Sequence, residues 1–97
     1  MRCRINVTER DIKTGLVGSS KSCPVALAIK RHIKNDAHVT VTSESTSIFN
    51  STFDDYVASV HSGYVRSWIS RFDEHYSVFP MRFYLNIPDQ FHRSHNA

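Results

Sequence analysis

The stretch GLVGSSKSCPVALAIKR, from Gly15 to Arg31, gathers the groups best suited to hold an anion. Gly18, Ser19, Ser20, Lys21 and Ser22 lead into a helix start at Cys23-Pro24. The first amides of a helix lack intrahelical partners, and together with the macrodipole they favour negative charge there. Lys21 adds a mobile cation, and the serine hydroxyls can donate to phosphate oxygens. Arg4 and Arg31 complete the set of cations assigned to such a ligand. The chemistry is binding rather than nucleotide hydrolysis, because Gly15 and Gly18 have the wrong spacing for a P-loop and no glycine precedes Lys21.

Other reactive side chains form no comparable set. Cys23 at a helix start has the position of an activated thiol, but no base and orienting group accompany it. Cys3 alternates with Ile5 and Val7 and reads as core. His92 and His95 sit at i, i+3 with only Asp89 nearby, and His32, His38, His61 and His75 are scattered. Asp54-Asp55 and Asp73-Glu74 are adjacent pairs whose side chains diverge. The sequence therefore predicts no catalytic set, no metal site and no cofactor. Arg2, Arg4, Arg82 and Tyr84 form a basic face with one aromatic, suited to solvent or to a homo-oligomer contact and less to nucleic acid.

The elements that must position these groups follow from periodicity. Cys3, Ile5 and Val7 alternate with Arg2, Arg4 and Asn6 as in a half-buried strand. Thr8 to Asp11 resembles a capping box, and Gly15 ends the short helical turn it opens. With Pro24 in its first turn, the main helix places Val25, Ala26, Ile29 and Ile33 on one face and Lys30, Arg31 and Lys34 on the other, with Leu27 the misfit. A hairpin follows, with Val39 and Val41 on one arm and Ile48 and Phe49 on the other. The segment 51–59 reads as irregular. Ser62, with Ser59 the second choice, caps a second long helix striped by Val65, Trp68, Ile69 and Phe72. A last strand alternates Met81, Phe83, Leu85 and Ile87 with Arg82, Tyr84 and Asn86, and Pro88 closes it.

The order β-α-β-β-α-β predicts an α+β fold of the ferredoxin-like kind, an antiparallel sheet with both helices on one face. The same elements in a different strand order are the alternative. A chain of 97 residues, 40% hydrophobic and 22% charged, supports one domain over 1–88 with a flexible tail over 89–97. It holds no apolar run of the roughly 20 residues a bilayer span needs, and its N-terminus lacks a signal peptide's apolar region. Two cysteines fit a reducing, cytoplasmic setting. A net charge of +3 permits an anionic partner without demanding one.

Three motifs carry a resemblance. Val7-Thr8, Asp11-Ile12 and Gly15 fit VTxxDIxxG, Cys23 to Arg31 fits CPVALAxxR, and Val65 to Asp73 fits VxxFIxxFD with Trp68 in place of the first Phe. With these the chain resembles a family of small bacteriophage and prophage proteins that has no assigned activity. The resemblance implies a viral protein acting in the host cytoplasm, and by analogy an anti-defence role. Two forms of that role are expected: a non-enzymatic module that sequesters a phosphate-bearing nucleotide, or an inhibitor that contacts a host defence protein directly. A nucleic-acid-binding domain is the third reading.

Overall fold

The computed structural model describes residues 2–50 and 55–93. The order is β1 (Arg2–Val7), α1 (Glu9–Thr14), α2 (Pro24–Lys30), β2 (Ala37–Val41), β3 (Ser45–Asn50), β4 (Asp55–Val60), α3 (Gly63–Asp73) and β5 (Met81–Asn86). The fold is α+β, as the sequence predicts. The strands form a two-stranded sheet, β1-β5, and a three-stranded sheet, β2-β3-β4, both antiparallel.

The expected single ferredoxin-like sheet is therefore corrected. That topology would give the free edge of β3 to β1. Here β4 takes it, with Ile48 opposite Val57 and Phe49 opposite Tyr56. β4 falls in the segment read as irregular because its inward side carries only one large apolar residue. Val57 and Ser59 are half-buried, while Tyr56, Ala58 and Val60 face outward, so the period-2 contrast that marks a strand is nearly erased. The rest of that segment, 51–54, lies outside the described residues.

α2 joins the two sheets. Val25, Ala26, Ala28 and Ile29 are fully buried, and the helix packs on both β1 and β2. Small alanines let it lie close to both sheets, and the larger Ile29 fills the core between them. Trp68 and Phe72 of α3 stack in parallel with ring centroids 6.0 Å apart, and the Trp68 indole N–H donates to the Phe79 carbonyl at 2.8 Å. A buried indole thus keeps its hydrogen bond.

The segment expected to fray after Pro88 is docked as far as Arg93. Phe91 is buried, the Lys34 amide donates to its carbonyl at 2.9 Å, and the Arg93 amide donates to the His32 carbonyl at 2.8 Å. Ile33 and His92 form an antiparallel bridge. One aromatic residue in a polar segment therefore anchors it, since burying a phenyl ring offsets ordering a few residues. Residues 94–97 lie outside the described residues.

His61 links the three-stranded sheet to the turn before α3. Its Nδ1 donates to the Ser43 carbonyl at 3.3 Å, so in the neutral ring Nε2 accepts from the Thr46 hydroxyl at 2.6 Å. Burial pushes its pKa below the ordinary 6.5, with the Ser43 carbonyl opposing. The unfolded chain then binds the proton more readily, so this contribution to stability is complete above pH 6.5 and is lost as pH falls through the folded value. Urea midpoints should decline as pH drops below 6.5, and His61→Leu should flatten that slope. An unchanged slope in the variant contradicts the assignment.

Candidate functional site

The local structure at the start of α2 is as the sequence predicts. Cys23 is the N-cap and Pro24 opens α2. Several amides of the Gly18–Cys23 loop, however, are engaged by the protein's own groups. Gly18 adopts a left-handed φ of 70°, which glycine takes without steric cost, and turns its amide onto the Asp73 carboxylate at 3.2 Å. The Ser22 amide donates to the Ser19 hydroxyl at 3.1 Å, and the Cys23 amide to the Ser19 carbonyl at 3.0 Å. Ser20 gives its carbonyl to the Val41 amide at 2.7 Å.

The protein's own groups thus engage the Gly18, Ser22 and Cys23 amides of the expected anion seat. The protein's own Asp73 faces the loop, where an exogenous anion would meet a like charge. Cys23 is buried, and burial pushes its thiol up rather than down, although the Ala26 and Val25 amides oppose this. α2 has only 7 residues, so its dipole adds little.

Two of the assigned cations also lie elsewhere. Arg31 forms a two-pronged pair with Asp11, Nη1 to Oδ1 at 2.7 Å and Nη2 to Oδ2 at 2.8 Å, and Nη2 also reaches the Asn6 carbonyl at 2.8 Å. Arg4 is exposed on β1 opposite Tyr84, and the guanidinium 4.2 Å from the Tyr84 ring centroid belongs to Arg2. Arg4 and Arg31 thus do not converge on the Gly18–Cys23 loop.

What the fold does bring together is a second cationic group. Lys21, Lys30, Lys34, His38 and Arg93 line a cleft of 280 Å³ between the end of α2 and β2, with Ile33 and Val39 among its apolar walls. Of the residues predicted for the site, only Lys21 belongs to it. None of the described residues that line it is acidic. The nearest carboxylate in sequence, Asp36, accepts from the Asn50 side chain at 3.2 Å. Arg93 is held in place, with Nε donating to the Ile33 carbonyl at 3.3 Å and Nη2 to the Asn35 side chain at 3.2 Å. Cations lining one low-lying space raise its potential, and an anion relieves their repulsion.

Next to the cleft the outer face of the three-stranded sheet carries a row of rings. His38, Phe49 and Tyr56 are cross-strand partners and all are exposed. His38 belongs both to this row and to the cleft wall. Sequence reasoning missed the row because Tyr56 sits on the strand it did not assign. It missed Arg93 because that residue lay in a segment read as frayed.

A second cluster is made by three elements. Cys3 of β1, His32 after α2 and His92 in the bridge to Ile33 place their ligating atoms all within 4.8 Å of one another. Burial pushes the Cys3 thiol up. These residues are 29 and 60 positions apart along the chain, so no local spacing announced them. Compared with known proteins, the chain matches no family model, no curated protein and no solved structure.

The Asp11–Arg31 pair has a direct test. Burial alone would push the Asp11 carboxyl up, but the Arg31 guanidinium and the Thr8 amide outweigh it and hold it below its ordinary value. Its stabilising contribution is thus present above pH 3.8 and lost as pH falls through the folded value. Asp11→Ala should lower unfolding free energy by about 1–3 kcal/mol. Arg31→Lys should recover only part of Arg31→Ala's loss, because an ammonium cannot bridge both oxygens and the carbonyl in one plane. Urea unfolding at pH 7 checks both, and equal stability of Arg31→Ala and wild type contradicts the role.

Proposed function

We propose that the chain is a binding module for a nucleotide, holding its phosphates in the Lys21–Lys30–Lys34 cleft and its base against the row of His38, Phe49 and Tyr56. The carrying observation is the convergence of lysines from the Gly18–Cys23 loop, the end of α2 and the turn after it on one cleft with no carboxylate among the described residues that line it. Lysines hold phosphate as flexible point charges, while Arg93 adds a planar donor set already fixed by its backbone and Asn35 bonds. The ring row supplies what a bare phosphate site lacks, since stacking a base on an aromatic ring contributes about 1–3 kcal/mol.

The reading is of sequestration rather than turnover. It accords with the resemblance of the VTxxDIxxG and CPVALAxxR motifs to bacteriophage proteins, for which capture of a nucleotide signal in the host cytoplasm is a fitting role. Nucleic acid is the competing occupant of the same surface, and it differs in a steep loss of affinity with salt from the many phosphates engaged.

Calorimetry with the full chain tests the proposal, using linear and cyclic nucleotides and pyrophosphate as a probe without a base. At least one nucleotide should bind more tightly than pyrophosphate. Lys30→Ala combined with Lys34→Ala should weaken both by about tenfold or more, the equivalent of roughly 1.4 kcal/mol. Phe49→Ala should weaken the nucleotide alone. Absence of binding by every probe at millimolar concentration overturns the reading, as does affinity that survives the double lysine substitution. Tight, salt-sensitive binding of oligonucleotides with none of mononucleotides transfers the surface to nucleic acid.

A further inference from the structure

We infer that Cys3, His32 and His92 form a binding site for one thiophilic divalent transition ion of the zinc class, separate from the lysine cleft. The argument starts from geometry. The sulfur and the two imidazole nitrogens lie within 4.8 Å of one another. Bonds of about 2.3 Å to sulfur and about 2.0 Å to nitrogen, arranged tetrahedrally, set ligand atoms about 3.3–3.6 Å apart. The remaining gap, of the order of 1 Å, is within reach of side-chain rotation, without moving backbone.

The backbone beneath the ligands is already fixed by independent bonds. Cys3 faces inward from β1, paired with Leu85 of β5. His32 donates its amide to the Ile29 carbonyl at 2.9 Å and gives its own carbonyl to the Arg93 amide at 2.8 Å. His92 is held by its bridge to Ile33 and by amide bonds to Pro88 and Asp89. The end of α2 and the segment around His92 are thus tied to each other where their imidazoles meet the inward-facing Cys3 of β1. An ion there would fasten all three.

Donor chemistry selects the ion. One thiolate and two imidazoles suit zinc or cobalt and discriminate against magnesium and calcium, which prefer oxygen. Three protein ligands leave a fourth position for water or an anionic oxygen. On ligation the Cys3 thiol gives its proton to solvent, so affinity rises with pH.

Titration of the full-length, metal-free chain with cobalt(II), then zinc(II), is the test. One cobalt per chain should bind, with a sulfur-to-cobalt charge-transfer absorption and visible bands of tetrahedral intensity, and zinc should displace it. Cys3→Ser should abolish the charge-transfer absorption. His92→Gln, which leaves β1 unchanged, should weaken binding about tenfold or more. Zinc should raise the unfolding temperature of the wild type but not of His92→Gln. His95→Gln and His75→Gln should leave all readouts unchanged. Cobalt spectra without the sulfur absorption, binding below one ion per chain, or affinity lost in His95→Gln but kept in His92→Gln overturns the site.

Discussion

The Asp11 carboxylate is the junction on which the arrangement of the rest depends. It accepts from the Thr8 amide at 2.9 Å while the Thr8 hydroxyl accepts from the Asp11 amide at 3.2 Å, which closes the capping box of α1. The same carboxylate takes both prongs of Arg31 at the C-terminal end of α2, and Arg31 reaches on to the Asn6 carbonyl at the end of β1. One charge, only 4% exposed, thereby ties a strand, a short helix and the central helix together. A buried carboxylate is tolerable only because nearly every lone pair has a donor. Gly15 belongs to the same junction. A Cβ there would lie 2.6 Å from the Pro24 ring and 2.7 Å from the Asp11 carbonyl, so the glycine allows α1 to meet the start of α2.

That junction sorts the cations from Lys30 to Lys34. Arg31 is drawn to Asp11 and becomes structural, while Lys30 and Lys34 are left on the other side with Lys21. Asp73 does the corresponding work at the loop, taking the Gly18 amide and setting a negative charge beside it. Lys21 from the loop before α2 and Lys30 and Lys34 from its end consequently share one cleft. The docked chain around Phe91 then completes the cleft with Arg93.

Much of the fold was legible because it rests on local patterns. The capping box at Thr8, the Cys23-Pro24 helix start, the Ser62 cap, the stripe from Val65 to Phe72 and the alternation from Met81 to Leu85 all depend on neighbours within a few residues. What failed depends on partners far along the chain. β4 is a strand because β3 offers it an edge, not because its own residues alternate strongly. The end of the described chain is ordered because Phe91 finds the core. Of the site, only Lys21 was singled out in the sequence, and the fold places it with Lys30, Lys34, His38 and Arg93 rather than with Arg4 and Arg31. Loop amides and Arg31 look free in sequence, and only the fold reveals Asp73 and Asp11 beside them. The meeting of Cys3 with His32 and His92 lies wholly beyond local reasoning.

The central claim is that positive potential available to a ligand sits at the end of α2 and not at its start. Its most direct measurement is nuclear magnetic resonance of the isotopically labelled chain during titration with pyrophosphate. The account predicts progressive shifts at Lys21, Lys30, Lys34, His38 and Arg93, with the amides of Gly18 to Ser20 unmoved. Shifts centred on Gly18, Ser19 and Cys23, with the lysine cleft silent, would contradict it.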